Sequence, residues 1–128
     1  MVTSPVMDLP SRGFIMHKIK EAGMVKVFIS QPMKGKTEEE ILKVREKAIA
    51  SVKRHCGDGV EVLDSYFADY NPDAGCVPLK YLAKSLELLA DADIAYFARG
   101  WQDARGCRIE NECAIEYGIE IIEDYTED

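Results

Sequence analysis

Residues 25–44, "VKVFISQPMKGKTEEEILKV", change their hydrophobic period partway along, and that change decides the fold. Val25 to Ser30 is a short, β-rich apolar run of the kind that forms a buried strand. Thr37 then stands as a helix N-cap, with Glu38, Glu39 and Glu40 in the first turn, where carboxylates suit the positive end of the helix dipole. Thr37 and Glu40 also have capping-box spacing. Ile41, Val44, Ala48 and Val52 repeat at helical intervals to about Cys56, and Gly57 and Gly59 end the helix.

The alternation continues outward. "VEVL" predicts a second strand, followed by the long loop "DSYFADYNPDAGCVP". Leu79, Leu82, Leu86 and Leu89 mark a second helix, "DIAYFA" a third strand and "RGWQDARG" a loop. Cys107 to Tyr117 predicts a third helix, "IEII" a fourth strand and "EDYTED" a solvated acidic tail. Strand and helix in strict alternation predict an α/β protein, a three-layer sandwich of flavodoxin- or Rossmann-like type with a parallel sheet of about four to five strands. Ligands of such folds bind beyond the carboxyl ends of the strands. The loops after Ser30, Leu63 and Ala98 are expected to meet there.

The chain of 128 residues is long enough for one core, so residues 24–128 read as a single domain. Residues 1–23 have no strand or helix period and carry Pro5, Pro10 and Gly13. They read as disordered, or as a leader the natural protein lacks. Lys20-Glu21-Ala22 can be encoded by AAGGAGGC, a ribosome-binding sequence just ahead of Met24, which predicts a natural start there. No apolar run approaches the ~20 residues of a membrane span, and no signal peptide is visible. A net charge of −7 argues against polymeric nucleic acid as a partner but leaves room for a small anionic ligand. Cys56, Cys76, Cys107 and Cys113 form no C-x-x-C pair and the only histidines are His17 and His55, so no metal site is expected. Free thiols fit a reducing cytoplasm.

Gly35-Lys36-Thr37 ends as a phosphate-binding P-loop ends, between a strand and a helix. Ser30 stands at the first glycine of that motif, and Pro32 removes an N–H from a loop that should cradle phosphates with N–H groups. A turn followed by a helix cap accounts for Gly35 and Thr37 equally well. A genuine P-loop would bind a triphosphate with magnesium and lose it on Lys36→Ala.

"RGWQDARGCRIENECAIEYG", residues 99–118, is more informative. At about 100° per residue, Cys107, Ile109, Cys113, Ala114 and Tyr117 share one broad face, and Arg108, Asn111, Glu112 and Glu116 fall opposite. Glu110 lies in the middle of the apolar face and in the first turn of the helix, near the strand ends. Carboxylates are rarely buried unless paired or functional, which makes Glu110 the first candidate for chemistry. A structural carboxylate held by the helix N-terminus or by Arg105 is the alternative.

Gly106, Glu110 and Ala114 form a G-x-x-x-E-x-x-x-A pattern after the strand in "ADADIAYFARGW", and Ser30-Gln31-Pro32-Met33 follows the first strand. Over about Val25 to Ile122 this arrangement resembles the nucleoside deoxyribosyltransferase superfamily, most of all its small phage and bacterial branch. The resemblance implies that Glu110 is the nucleophile toward the anomeric carbon of a nucleoside or nucleoside 5'-monophosphate. Ser30, Gln31, Pro32 and Met33 would wall the sugar and base, with Arg105 and Gly106 beside them. Ala104 stands where the superfamily has an aspartate, with Asp103 adjacent as a weak candidate proton donor. Ser85 stands at an acidic sugar-binding position, and Glu112 at a second glycine. Arg99, Arg105, Arg108 and Lys34 are candidates for a phosphate. Trp101 would stack on the base or pack under its loop, and Tyr66, Phe67 and Tyr70 would form a lid or meet a neighbouring subunit. The resemblance implies a homo-oligomer and no cofactor. A non-catalytic nucleotide sensor of the same fold is the alternative.

Overall fold

A computed structural model describes residues 24–126 apart from residue 68. The leader and the last two residues lie outside the described part. Strand β1 (Val25–Ser30) leads to helix α1 (Glu38–Cys56), then β2 (Val60–Val62), α2 (Val77–Leu89), β3 (Ile94–Phe97), a short 3-10 turn (Trp101–Asp103), α3 (Arg105–Glu116) and β4 (Glu120–Glu123). The sheet is four-stranded and parallel, in the order β2-β1-β3-β4. The expected α/β sandwich is therefore present. Chain order reverses between β1 and β3, and the crevice at such a switch point is where open α/β sheets hold ligands.

Strand parity sorts the core. Val25, Val27 and Ile29 of β1 and Ile94 and Tyr96 of β3 pack on one face against Ala48, Val52 and Cys56 of α1. Phe28, Ala95 and Phe97 pack on the other face against Leu89 of α2 and Ala114 of α3. Central strands buried on both faces read as continuous apolar runs, which is why "VFI" and "IAYF" show no polar alternation. Ser30 has the parity of Phe28, so the last residue of β1 belongs to the face shared by α2 and α3.

The first helix forms as its sequence dictates. Thr37 Oγ1 accepts the Glu40 N–H at 3.1 Å, and the Glu40 carboxylate accepts the Thr37 N–H at 2.9 Å. Gly35 closes the turn before it: the Lys36 N–H donates to the Met33 carbonyl at 3.0 Å, and Gly35 has φ +77°, the left-handed region that favours glycine. Two N–H groups that a phosphate cradle would need are thus already bonded.

Three expectations are corrected. Helix α3 does not bury Ile109 and Tyr117, which are 37% and 83% exposed, but Cys107, Glu110, Asn111 and Ala114. That is an i, i+3, i+4, i+7 stripe with two polar members, and Asn111 is admitted because its amide donates to the Glu123 carboxylate at 2.9 Å. Glu110 falls in the second turn, since the helix begins at Arg105. The tail is not uniformly solvated: Asp124 is buried, taking Lys47 at 3.3 Å, the Tyr96 hydroxyl at 3.1 Å and the Thr126 hydroxyl at 2.6 Å. These partners hold its carboxyl below the usual range despite burial.

Candidate functional site

Beyond the carboxyl end of β1, between α2 and α3, lies a cleft of about 1160 Å³. Its walls come from Ser30 to Lys34, Ser65 to Phe67, the face of α2 from Cys76 to Ser85, and Asp103 to Glu110. The three loops that the sequence places at the strand ends do converge on it.

Glu110 forms part of this cleft and is 7% exposed. The Ser30 hydroxyl donates to its Oε1 at 2.5 Å, and the Ser85 hydroxyl of α2 also bonds the carboxyl. Burial raises its pKa to about 7, and the two serine hydrogen bonds oppose that rise without cancelling it. Arg105 is not among the groups acting on it, so its alternative role as the structural partner of Glu110 has no support. A carboxyl with a pKa near 7 in a cleft changes protonation state readily, as an acid–base group must, and is ionised for attack as a nucleophile above that pH.

Ser30 also bonds the Cys107 thiol, one turn before Glu110 on α3. Burial pushes that thiol up to about 11, so it stays protonated at neutral pH and packs as a small hydrophobe. The sequence pattern did not single out Cys107 in this role, and its i−3 relation to Glu110 was the available signal.

The other sequence-selected residues divide. Pro32 and Met33 line the cleft half-exposed, Gly106 is in its wall, and exposed Asp103 and Arg105 are at its rim. Gln31 is buried; its amide nitrogen donates to the Ile41 carbonyl at 3.1 Å while its Oε1 has no partner among the described residues. Lys34 and Arg108 border the cleft, the latter donating to the Gln102 carbonyl at 2.9 Å. Arg99 lines a different cleft.

Trp101 does not line the cleft. Its ring packs on Phe97 at 5.7 Å in the core under α3, because Gly100 (φ +86°) turns the chain back over the end of β3. Of its two foreseen roles, packing beneath the loop is the one observed.

The long loop is held closely. Leu63 N–H bonds the Val27 carbonyl at 2.9 Å, and Ser65 Oγ donates to the Ile29 carbonyl at 2.7 Å while accepting from Arg45 at 3.1 Å. Tyr70 packs edge-on against Tyr81 at 5.0 Å, Tyr81 donates to the Tyr70 carbonyl, and Lys84 lies 5.1 Å over both Phe67 and Tyr70. Tyr66 and Phe67 therefore reach the cleft as part of a wall fastened to α2, with Tyr81 beside them. Sequence reasoning missed Ser65 and Tyr81, whose partners are distant in the chain.

Among the described residues, no group of His, Cys, Asp and Glu is arranged to hold a metal ion, and no helix is long and apolar enough to cross a membrane.

Fold and site together define a Rossmann-like α/β domain with a buried, hydroxyl-bound carboxyl at its topological switch point. The family model described as "Domain of unknown function (DUF4406)" matches residues 25–123, and the chain belongs to that family. Comparison with the curated proteins and with the solved structures gives no match.

Proposed function

We propose that the protein cleaves or transfers the N-glycosidic bond of a nucleoside or nucleoside 5'-monophosphate, with Glu110 as the nucleophile. The observation that carries this reading is the Glu110 carboxyl, buried in the cleft wall under two serine hydroxyls. Breaking the bond builds positive charge on the sugar, and an ionised carboxylate stabilises it or bonds to the anomeric carbon. As the C–O bond to Glu110 forms, the C–N bond breaks and its electron pair leaves with the base, which takes up a proton. Asp103, exposed at the cleft rim, is the chain's candidate for that donor. Water then releases the sugar from Glu110, or a second base accepts it.

The cleft supports a substrate of this size. Its aromatic wall of Tyr66, Phe67 and Tyr81 suits a flat base, and Ser30 and Ser85 fix the carboxyl that faces the sugar. The test is free-base release, read by chromatography, from a panel of ribo- and deoxyribonucleosides and their 5'-monophosphates, with and without an acceptor base. Wild type should release base and Glu110→Gln should not, while still binding substrate. Binding without release by wild type would instead assign a nucleotide sensor.

A further inference from the structure

The cleft wall holds a buried carboxyl with no counterion. Glu110, 7% exposed, is acted on by burial and by the Ser30 and Ser85 hydroxyls, and by no cationic side chain among the described residues. Two hydroxyl donors ease the burial of an anion without neutralising it, and a buried charge is best tolerated beside an opposite one. Lys34, Arg105 and Arg108 line the same cleft from exposed positions, as Asp103 and Cys76 do, and solvent screens them there. The aromatic wall adds a second preference of the same sign, because ring faces attract cations. Lys84, outside the cleft lining, already lies 5.1 Å over the Phe67 ring, and Tyr66 and Tyr81 are the other rings of that wall.

The hydrogen bonds around Glu110 bear on the leaving group. A neutral base must gain a proton as its bond to the sugar breaks. The Ser30 hydroxyl is committed to Glu110 and the Ser65 hydroxyl to the Ile29 carbonyl. The Cys107 thiol, bonded to Ser30 and pushed up to about 11, is a weak acid. Asp103 stands at the rim, in solvent. A base that is already positive needs no donor at all.

We propose that the substrate is an N-riboside whose base is a positively charged heteroaromatic ring, a pyridinium or an N7-alkylated purine, held by the Glu110 carboxylate and the aromatic wall. The proposal rests on Glu110 as the nucleophile. As the bond from Glu110 to the anomeric carbon forms, the C–N bond breaks and its electron pair returns to the ring nitrogen, so the base leaves neutral. Water then adds at the anomeric carbon, freeing the sugar, restoring the carboxylate and giving a proton to solvent.

The test has two arms on the whole chain. The first is calorimetric titration with 1-methylnicotinamide and with nicotinamide, which differ by a methyl group and a positive charge. At pH 8 the cation should bind about tenfold or more tighter, and at pH 5.5, where Glu110 keeps its proton, that preference should largely disappear. Glu110→Gln should lack it at both pH values. The second arm compares base release, relative to the uncatalysed rate, from N7-methylguanosine, guanosine and nicotinamide riboside and from their 5'-monophosphates. The charged compounds should show the larger enhancement, and the two charged bases compared with each other separate a purine from a pyridinium substrate. Equal binding of the two probes at pH 8 would overturn the proposal. Guanosine enhanced as strongly as N7-methylguanosine would also overturn it, while N-glycosidic cleavage would stand. A charge preference lost in Glu110→Gln, with no release from any compound, would overturn the nucleophile and the substrate together and leave Glu110 as a cation-binding group.

Discussion

The Glu110 carboxyl gives a quantitative test that does not depend on knowing the substrate. Burial lifts its pKa from the ordinary 4.5 to about 7. Between those values the native protein keeps a proton that the unfolded chain has released, so stability falls as pH rises across the window. At ~1.4 kcal/mol for each tenfold change, the gap is worth about 3 kcal/mol, fully lost by about pH 8. Glu110→Gln replaces the carboxyl with a neutral group of nearly the same shape that does not titrate. Urea unfolding at pH 5 should find the two proteins alike to within about 1 kcal/mol. At pH 8 the variant should be the more stable by about 2–3 kcal/mol, a melting difference on the order of 10 °C for a domain of this size. Parallel stability curves at the two pH values would refute the reasoning: the carboxyl would then be ionised in the native state at pH 5, and its burial would have no electrostatic cost.

Three further outcomes follow from the same geometry. If Glu110 attacks as a carboxylate, kcat/KM for base release should rise through about pH 7 in the free enzyme; a fall through that pH would make Glu110 the proton donor instead. Ser30→Ala removes a hydrogen bond that favours the ionised form, so the midpoint of that profile should move to higher pH, and stability at pH 8 should drop by about 1–2 kcal/mol. An unmoved midpoint would show that Ser30 does not tune the carboxyl. Trp101→Phe keeps the packing on Phe97 and deletes an N–H buried without a partner among the described residues, so stability should change by no more than about 1 kcal/mol, with KM unaltered. A raised KM would return Trp101 to the substrate site.

The local elements were legible in the residues because their causes are local. The capping box of Thr37 and Glu40, the Gly35 turn and the apolar runs of β1 and β3 each depend on neighbours within a few positions, and the alternation of strand and helix then restricts the architecture to a parallel α/β sandwich. The position of Glu110 among apolar residues on one face of its helix was also visible. The rotation of α3 was not. Its buried stripe contains Glu110 and Asn111, and a hydrophobic pattern cannot assign polar residues to a core when the groups that satisfy them, Ser30, Ser85 and Glu123, come from β1, α2 and β4. Asp124 was misjudged for the same reason, its partners Lys47 and Tyr96 being distant in the chain. Trp101 likewise required the Gly100 turn to be seen before its ring could be assigned to the core. The residues alone set which segments form and their succession along the chain; the strand order β2-β1-β3-β4 did not follow from them. Tertiary structure alone decided which polar groups are buried together, because burial becomes tolerable only where chains far apart in sequence bring a donor to each acceptor.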